Sequence, residues 1–239
     1  MSRKSDAGPA GIINLYKPVG HSSAQYVYRL RHILGIRRIG HAGSLDPFAD
    51  GVLLACVGKA TRLFDRLTGL PKHYRTTIHL GVTNETFDTE RAFEPVPGAQ
   101  PPPREAVEEA VAGMVGEIDQ VPPAFSAVRV SGESSYHLAR RGEAVPHQPK
   151  RIRIYRMKVI EYAWPLLRLD LQCSRGTYIR AIARDLGAAL GCGGCCETLS
   201  RLAVGPFRIE QAVNLETTLH PEVAARLIPL DEVLRLLEA

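Results

Sequence analysis

Between Leu167 and Cys173 the chain alternates without a break, with Leu167, Leu169, Leu171 and Cys173 on one side and Arg168, Asp170 and Gln172 on the other. That period belongs to a strand with one face in a core and one in water. Arg151–Tyr162 is the natural antiparallel partner, and Gly176 ends the pair. From Thr177 the spacing changes, and Ile179, Ile182, Ala183, Leu186 and Leu190 fall on one face of a helix that Gly191 stops. A half-apolar sheet followed at once by an amphipathic helix that can cover it restricts the chain to folds mixing both elements. Elsewhere the same mixture recurs without βαβ regularity. Strands are predicted at Gly11–Tyr16, Val52–Val57 and Tyr74–Leu80, and helices at Lys59–Leu67 and Arg104–Val115. A further helix, capped by Ser22 or Ser23, carries Val27, Leu30, Ile33 and Leu34 inward and ends at Gly35. Gly40–Gly51 reads as a loop. After Gly191 the pattern suggests only a short strand near Phe207 and one or two small helices. The expected class is α+β, a mixed, mainly antiparallel central sheet flanked by helices.

Composition excludes little. At 239 residues, 45% hydrophobic and 23% charged, the chain is no disordered polymer and is long enough for one large domain or two small ones. A net charge of +5 points only weakly to a polyanionic partner. No apolar stretch approaches the ~18 residues of a membrane span, and the polar start Met1–Asp6 is no signal peptide, so no membrane association is expected. Five cysteines, an odd number in a large chain, argue for reduced thiols and a cytoplasmic location. Cys192-Gly-Gly-Cys195 has the spacing of metal ligands, but no second Cys/His pair accompanies it and a structural zinc takes four ligands. The segment reads as a tight turn of small residues, and no metal is expected.

Three places could carry chemistry. His41-Ala-Gly-Ser-Leu-Asp46-Pro-Phe-Ala-Asp-Gly51 sets a histidine and carboxylates in a loop feeding a buried strand, a common place for catalytic residues. Asp46-Pro47 is equally a turn starter, and Asp50-Gly51 reads as turn chemistry. Cys173-Ser-Arg-Gly-Thr-Tyr178-Ile-Arg180 lies where a strand turns into a helix. With Ile179 in the core, Tyr178 and Arg180 are free to face a cleft, where an arginine could neutralise a buried carboxylate or grip a phosphate; a surface arginine packing its stem fits as well. Lys72-His-Tyr74-Arg75 sets an aromatic among cations, suited to stacking a base beside phosphates or simply to a core.

The Gly40–Leu53 pattern resembles the active-site motif of the TruB family of tRNA pseudouridine synthases. Further blocks match in order: Lys17-Pro-Val-Gly20, Lys72-His-Tyr74 with Leu80-Gly81, Pro122-Pro-Ala-Phe-Ser-Ala127, Cys173–Arg180, and Leu199-Ser-Arg201 with Gly205-Pro-Phe207. The resemblance implies a pseudouridine synthase-like fold and isomerisation of the T-arm uridine 55 of tRNA. Asp46 matches the catalytic aspartate, attacking either the ribose C1′ or uracil C6 of a flipped-out uridine. Arg180 matches the arginine paired with that carboxylate. Tyr74 matches the tyrosine stacking on the base, Tyr178 and Leu199 match residues lining the uracil pocket, and His41 matches the histidine contacting RNA near the vacated base position. The reaction implied needs no cofactor and no metal. Ala42, Ser44 and Asp50 depart from the usual pattern and leave Asp46 in register, and Ser200 stands where an arginine is usual, beside Leu199.

The expected organisation is a disordered tail over 1–10, a catalytic domain over 11–207 with a polar RNA-contacting insertion around 122–149, and a tail over 208–239 packed on that domain. Many relatives continue into a PUA domain, for which 208–239 is too short. RNA docking is then expected to rest on basic residues at 29–38 and on Arg140, Arg141, Lys150, Arg151, Arg153 and Arg156. The expected partner is tRNA, bound by a monomer that requires no protein partner. Two alternatives share the motifs: a non-catalytic RNA-binding or RNA-folding protein, and a ribosomal RNA pseudouridine synthase.

Overall fold

The computed structural model describes residues 8–126, 129–130, 133–135, 141 and 148–238. Most of the expected tail over 1–10, much of the insertion and Arg140 lie outside the described residues. Among those described, the strands of four or more residues are β1 (Gly11–Lys17), β2 (Ile39–Ala42), β3 (Asp50–Val57), β4 (Lys72–Leu80), β5 (Gly116–Gln120), β6 (Lys150–Ala163), β7 (Leu166–Cys173) and β8 (Gly194–Val204). The helices are α1 (Ser23–Leu34), α2 (Phe64–Gly69), α3 (Arg104–Gly113), α4 (Ile179–Ala189), α5 (His220–Ala225) and α6 (Leu230–Leu236), with a 3-10 turn at Gly58–Leu63. None is long and apolar enough to cross a membrane. The chain divides into two compact units, 1–72 with 201–239, and 73–200.

In the first unit β1 runs antiparallel to β3 from Gly11↔Val57 to Lys17↔Gly51, and β2 pairs with the far end of β3. Val213–Asn214 lies parallel to β1 and Ile228–Pro229 antiparallel to it, so residues beyond Phe207 belong to this sheet. Both sheet faces are covered. Ile13, Leu15, Leu53, Ala55 and Val57 meet α1 and α5 through Tyr26, Val27, Leu30 and Val223. Ile12, Val52, Leu54 and Cys56 meet Ala60, Leu67, Phe207 and Val233. Two covered faces explain why Val52–Val57 is apolar throughout instead of alternating. Of the two serines that could cap α1, Ser22 does so: its Oγ accepts from Gln25 N–H at 3.2 Å, and Gln25 Oε1 accepts from Ser22 N–H at 2.9 Å. Gly35, at φ 64°, ends the helix. Ser23 is thereby released for another task.

In the second unit β6 and β7 form the expected antiparallel pair, and β5 pairs with the start of β6. Leu167, Leu169, Leu171 and Cys173 are fully buried, as are Val107 of α3 and Ala183 and Leu186 of α4. The opposite face is polar: the Asp170 carboxylate is bonded to His73 Nε2 at 2.9 Å and to Arg156 at 2.8 Å. The β6–β7 register shifts between Ile154 and Arg156 and between Val159 and Glu161. The residues at those irregularities, Tyr155 and Ile160, are the large hydrophobics that β6 leaves exposed.

Two expectations are corrected. Gly40–Gly51 is not loop throughout, because its first residues pair with β3. After Gly191 the chain forms an eleven-residue strand, β8, buried at Cys195, Cys196, Leu199, Ala203 and Val204. Burial alternates over Leu199, Arg201 and Ala203, but an arginine on the inward side and Leu202 on the other hide that period in the sequence, and adjacent cysteines beside glycines read as a turn. The turn itself is real. Cys192 and Gly193 N–H groups both donate to the Gly187 carbonyl at 3.0 Å, and a Cβ on Gly187 would lie 2.2 Å from Gly193 backbone.

Gly51 combines φ 108° with a site where a Cβ would lie 2.2 Å from the Arg201 carbonyl oxygen. Gly51→Ala is therefore expected to destabilise the chain by at least ~2 kcal/mol. Gly40→Ala, with nothing within 4 Å of the added methyl, should leave the denaturant midpoint almost unchanged. Equal midpoints for the two variants would contradict this packing.

Candidate active site

Asp46 sits half-buried on the loop between β2 and β3, and that loop is held almost wholly through its backbone. Ser23, buried in the first turn of α1, accepts the Leu45 N–H at 2.8 Å and donates to the Leu45 carbonyl at 3.1 Å. Gly20 N–H donates to the Pro47 carbonyl at 2.8 Å, and Ala49 N–H closes a turn on the Asp46 carbonyl at 3.1 Å. Leu45, Phe48 and Ala49 are buried anchors on either side of the aspartate.

Two buried cations complete the hold. Lys17, fully buried at the end of β1, donates its three ammonium protons to the carbonyls of Pro18 at 2.8 Å, His21 at 2.8 Å and Ala49 at 2.6 Å. Burial pushes its pKa down to about 8, opposed by the charges of Asp50 and Asp46, so the ammonium remains the main form at neutral pH. Arg201, 1% exposed on β8, donates through Nε to the Val52 carbonyl at 2.7 Å and through its two terminal nitrogens to Ser44 and Gly43 carbonyls, each at 3.0 Å. Burying a cation is costly unless its donors are met, and here they meet carbonyl dipoles. The loop cannot move without orphaning several of these groups at once.

The surroundings are polar but ordered. Tyr16 hydroxyl donates to Asp50 Oδ2 at 2.9 Å; burial, then that bond, push the phenol up to about 12, so it stays a donor. His41 lies on β2 with Nδ1 buried and unpartnered among the described residues. Burial and then the Arg201 charge lower its pKa, which makes the ring neutral at pH 7.

The second unit carries the other predicted residues. Tyr74 is buried on β4, and Leu199 is buried on β8. Thr76 of β4 donates to the Thr198 carbonyl at 2.7 Å, which sets these two strands side by side. Tyr178 precedes α4 with extended backbone, φ −98° and ψ 112°. Arg180 does not lie at the surface: it is 4% exposed and bonds to the Thr86 carbonyl at 3.1 Å and the Phe125 carbonyl at 2.8 Å. Its Nε lies 3.4 Å from Asp88 Oδ2, a carboxylate that is itself buried.

Several of these residues had no role assigned from sequence. Lys17 and Arg201 lie inside the blocks that carry the resemblance, and Asp88 lies in none of them. Ser23 is one of the two cap candidates. The detectable hints are a lysine ending an apolar strand and two serines where one cap suffices. Ser23→Ala should orphan the Leu45 N–H and carbonyl and lower stability by about 1–3 kcal/mol, read from the urea midpoint, whereas Ser22→Ala should cost only about 1 kcal/mol. A larger loss at Ser22 than at Ser23 would refute this division of labour.

Comparison with known proteins follows the same lines. The family model described as TruB family pseudouridylate synthase (N terminal domain) matches residues 31–179, and that of the tRNA pseudouridylate synthase B C-terminal domain matches 180–238. A tRNA pseudouridine synthase B of Syntrophobacter fumaroxidans is 41% identical over 97% of this chain and 77% of its own length. Its counterpart in Opitutus terrae is 40% identical over 92% of each chain. Among solved structures, a chain of a Cbf5–Nop10–Gar1 complex superposes with TM-score 0.73 at 25% identity, over 95% of this chain and 62% of that one. The protein therefore belongs to the TruB family of pseudouridylate synthases.

Proposed function

We propose that the chain isomerises uridine to pseudouridine in tRNA, at the T-arm uridine 55, with Asp46 as the attacking carboxylate. The observation that carries this reading is a carboxylate inside the Gly40–Leu53 motif on a loop fixed through its backbone by Ser23, Lys17 and Arg201. A nucleophile must be presented in one geometry, and a loop pinned on both sides of Asp46 provides that. Relatives about 40% identical that are named as tRNA pseudouridine synthases favour this over a purely RNA-binding or ribosomal role.

In the proposed reaction the uridine leaves its stack at a cost of a few kcal/mol, and stacking on Tyr74 returns ~1–3 kcal/mol. Asp46 bonds to C1′ or to C6, the N1–C1′ bond breaks, and the base turns. C5 then bonds to C1′ and loses its proton, N1 takes up a proton, and the carboxylate departs unchanged. Atoms and electrons balance without an oxidant, an added group or a cofactor. Tyr178 and Leu199 wall the uracil, and neutral His41 offers RNA an uncharged ring. Arg180 is the cation of this machinery; within its own unit it neutralises Asp88. The working form in this reading is a monomer. Buried thiols at Cys56, Cys173, Cys192, Cys195 and Cys196 suit work in the reducing cytoplasm.

Of the basic residues proposed to dock RNA, Arg151 is engaged by Asp119 at 3.0 Å and Arg156 by Asp170 at 2.8 Å. The phosphate-facing role in that cluster then falls to exposed Lys150 and Arg153. Their double replacement by alanine should weaken tRNA binding and reduce the slope of log affinity against log salt by about 1–2; an unaltered slope removes them from the docking surface. On an unmodified tRNA transcript, without any guide RNA, the wild type should place pseudouridine at the T-arm position, and Asp46→Asn should lower the rate on the order of 10³-fold or more. Full activity in that variant would overturn the assignment of Asp46.

A further inference from the structure

Gln120 closes β5 and is 2% exposed. Both ends of its amide are used on one residue of a different element: Tyr178 N–H donates to Oε1 at 2.8 Å, and Nε2 donates to the Tyr178 carbonyl at 3.1 Å. This is the hydrogen-bond pair a neighbouring strand would offer, supplied by a single side chain. Tyr178 needs such support. It follows Gly176, whose φ is 78°, and its own side chain makes no capping bond to α4. The residues after Gln120 are stitched to the same helix turn: Arg184 donates to the Val121 carbonyl at 2.9 Å and Arg180 to the Phe125 carbonyl at 2.8 Å.

We propose that Gln120 is a positioning residue for the isomerisation, fixing the backbone of Tyr178 and so the direction in which its ring meets the uracil; this rests on the reading of Tyr178 as a wall of the pocket. A glutamine does this where a hydrophobe of equal size cannot, because the peptide of Tyr178 presents one donor and one acceptor and the amide answers both. A glutamate answers both only when protonated. As a carboxylate it still accepts the N–H but sets its second oxygen against the Tyr178 carbonyl.

The test compares Gln120→Met and Gln120→Glu with wild type in single-turnover pseudouridine formation on a T-arm transcript, alongside transcript binding and far-UV circular dichroism. Gln120→Met is expected to slow the chemical step by about tenfold or more while the Kd changes less than about threefold. Gln120→Glu is expected to lose activity relative to wild type as pH rises from about 5.5 to about 9, because its neutral acid alone can donate. Gln120→Met within about twofold of the wild-type rate, or a flat Glu-to-wild-type ratio across that range, overturns the proposal. Tyr178→Ala and Asp46→Asn run in parallel separate the two levels. If both are inactive and Gln120→Met is not impaired, only the positioning role falls; if both are active, the reading of the site falls and the proposal with it.

Discussion

The site depends on a simple imbalance: two cations are buried beneath a loop and have mostly backbone carbonyls to face. Lys17 and Arg201 each satisfy their donors on main-chain oxygens, and four of those oxygens, at Gly43, Ser44, Ala49 and Val52, lie in or beside the segment that carries Asp46. An ion pair ties one side chain to another and leaves the backbone free. Cations bonded to carbonyls fix the backbone itself, and the side chain between the fixed points inherits the geometry. Ser23 adds the same kind of hold from α1. The desolvation of the two charges is offset by the carbonyl dipoles that meet their donors.

The two units meet their burden differently. The first covers both faces of its sheet, so Val52–Val57 is apolar throughout, and the polar groups around the Asp46 loop come from the ends of the strands beside it, Lys17, Asp50 and His41. The second covers one face with α3 and α4 and leaves the other as a charged surface built around Asp170. In the second unit the turn into α4 is held by Gln120, whose amide meets both the N–H and the carbonyl of Tyr178, while Arg180 meets the Thr86 and Phe125 carbonyls. In both units a candidate site residue, Asp46 in the first and Tyr178 in the second, is presented by backbone that some other buried polar group holds.

That pattern explains what could be read from the sequence. The β6–β7 pair, α1, α3 and α4 were legible because one face of each is apolar and the other is not, and period follows from that asymmetry. The Asp46 motif was legible as an unbroken local string. β8 was not, since Arg201 takes an inward position and Leu202 an outer one, which masks the alternation, and Cys195-Cys196 beside glycines imitates a turn. The holds on the loop were also invisible: Lys17 reaches Ala49 across 32 residues and Arg201 reaches Gly43 across 158, each meeting a carbonyl that every residue possesses. No residue type at position 43 or 49 could signal that its backbone oxygen is wanted. Asp88 was hidden in a segment whose composition suggests solvent, although its carboxylate is buried against Arg180.

The central claim is that this machinery isomerises a uridine rather than merely gripping RNA. It is tested most directly with a tRNA transcript carrying tritium at C5 of its uridines, incubated with the purified chain alone. Formation of the C5–C1′ bond must expel that hydrogen, so the account predicts tritium release rising to one equivalent per tRNA. Saturable binding of the same transcript with no tritium released would contradict it.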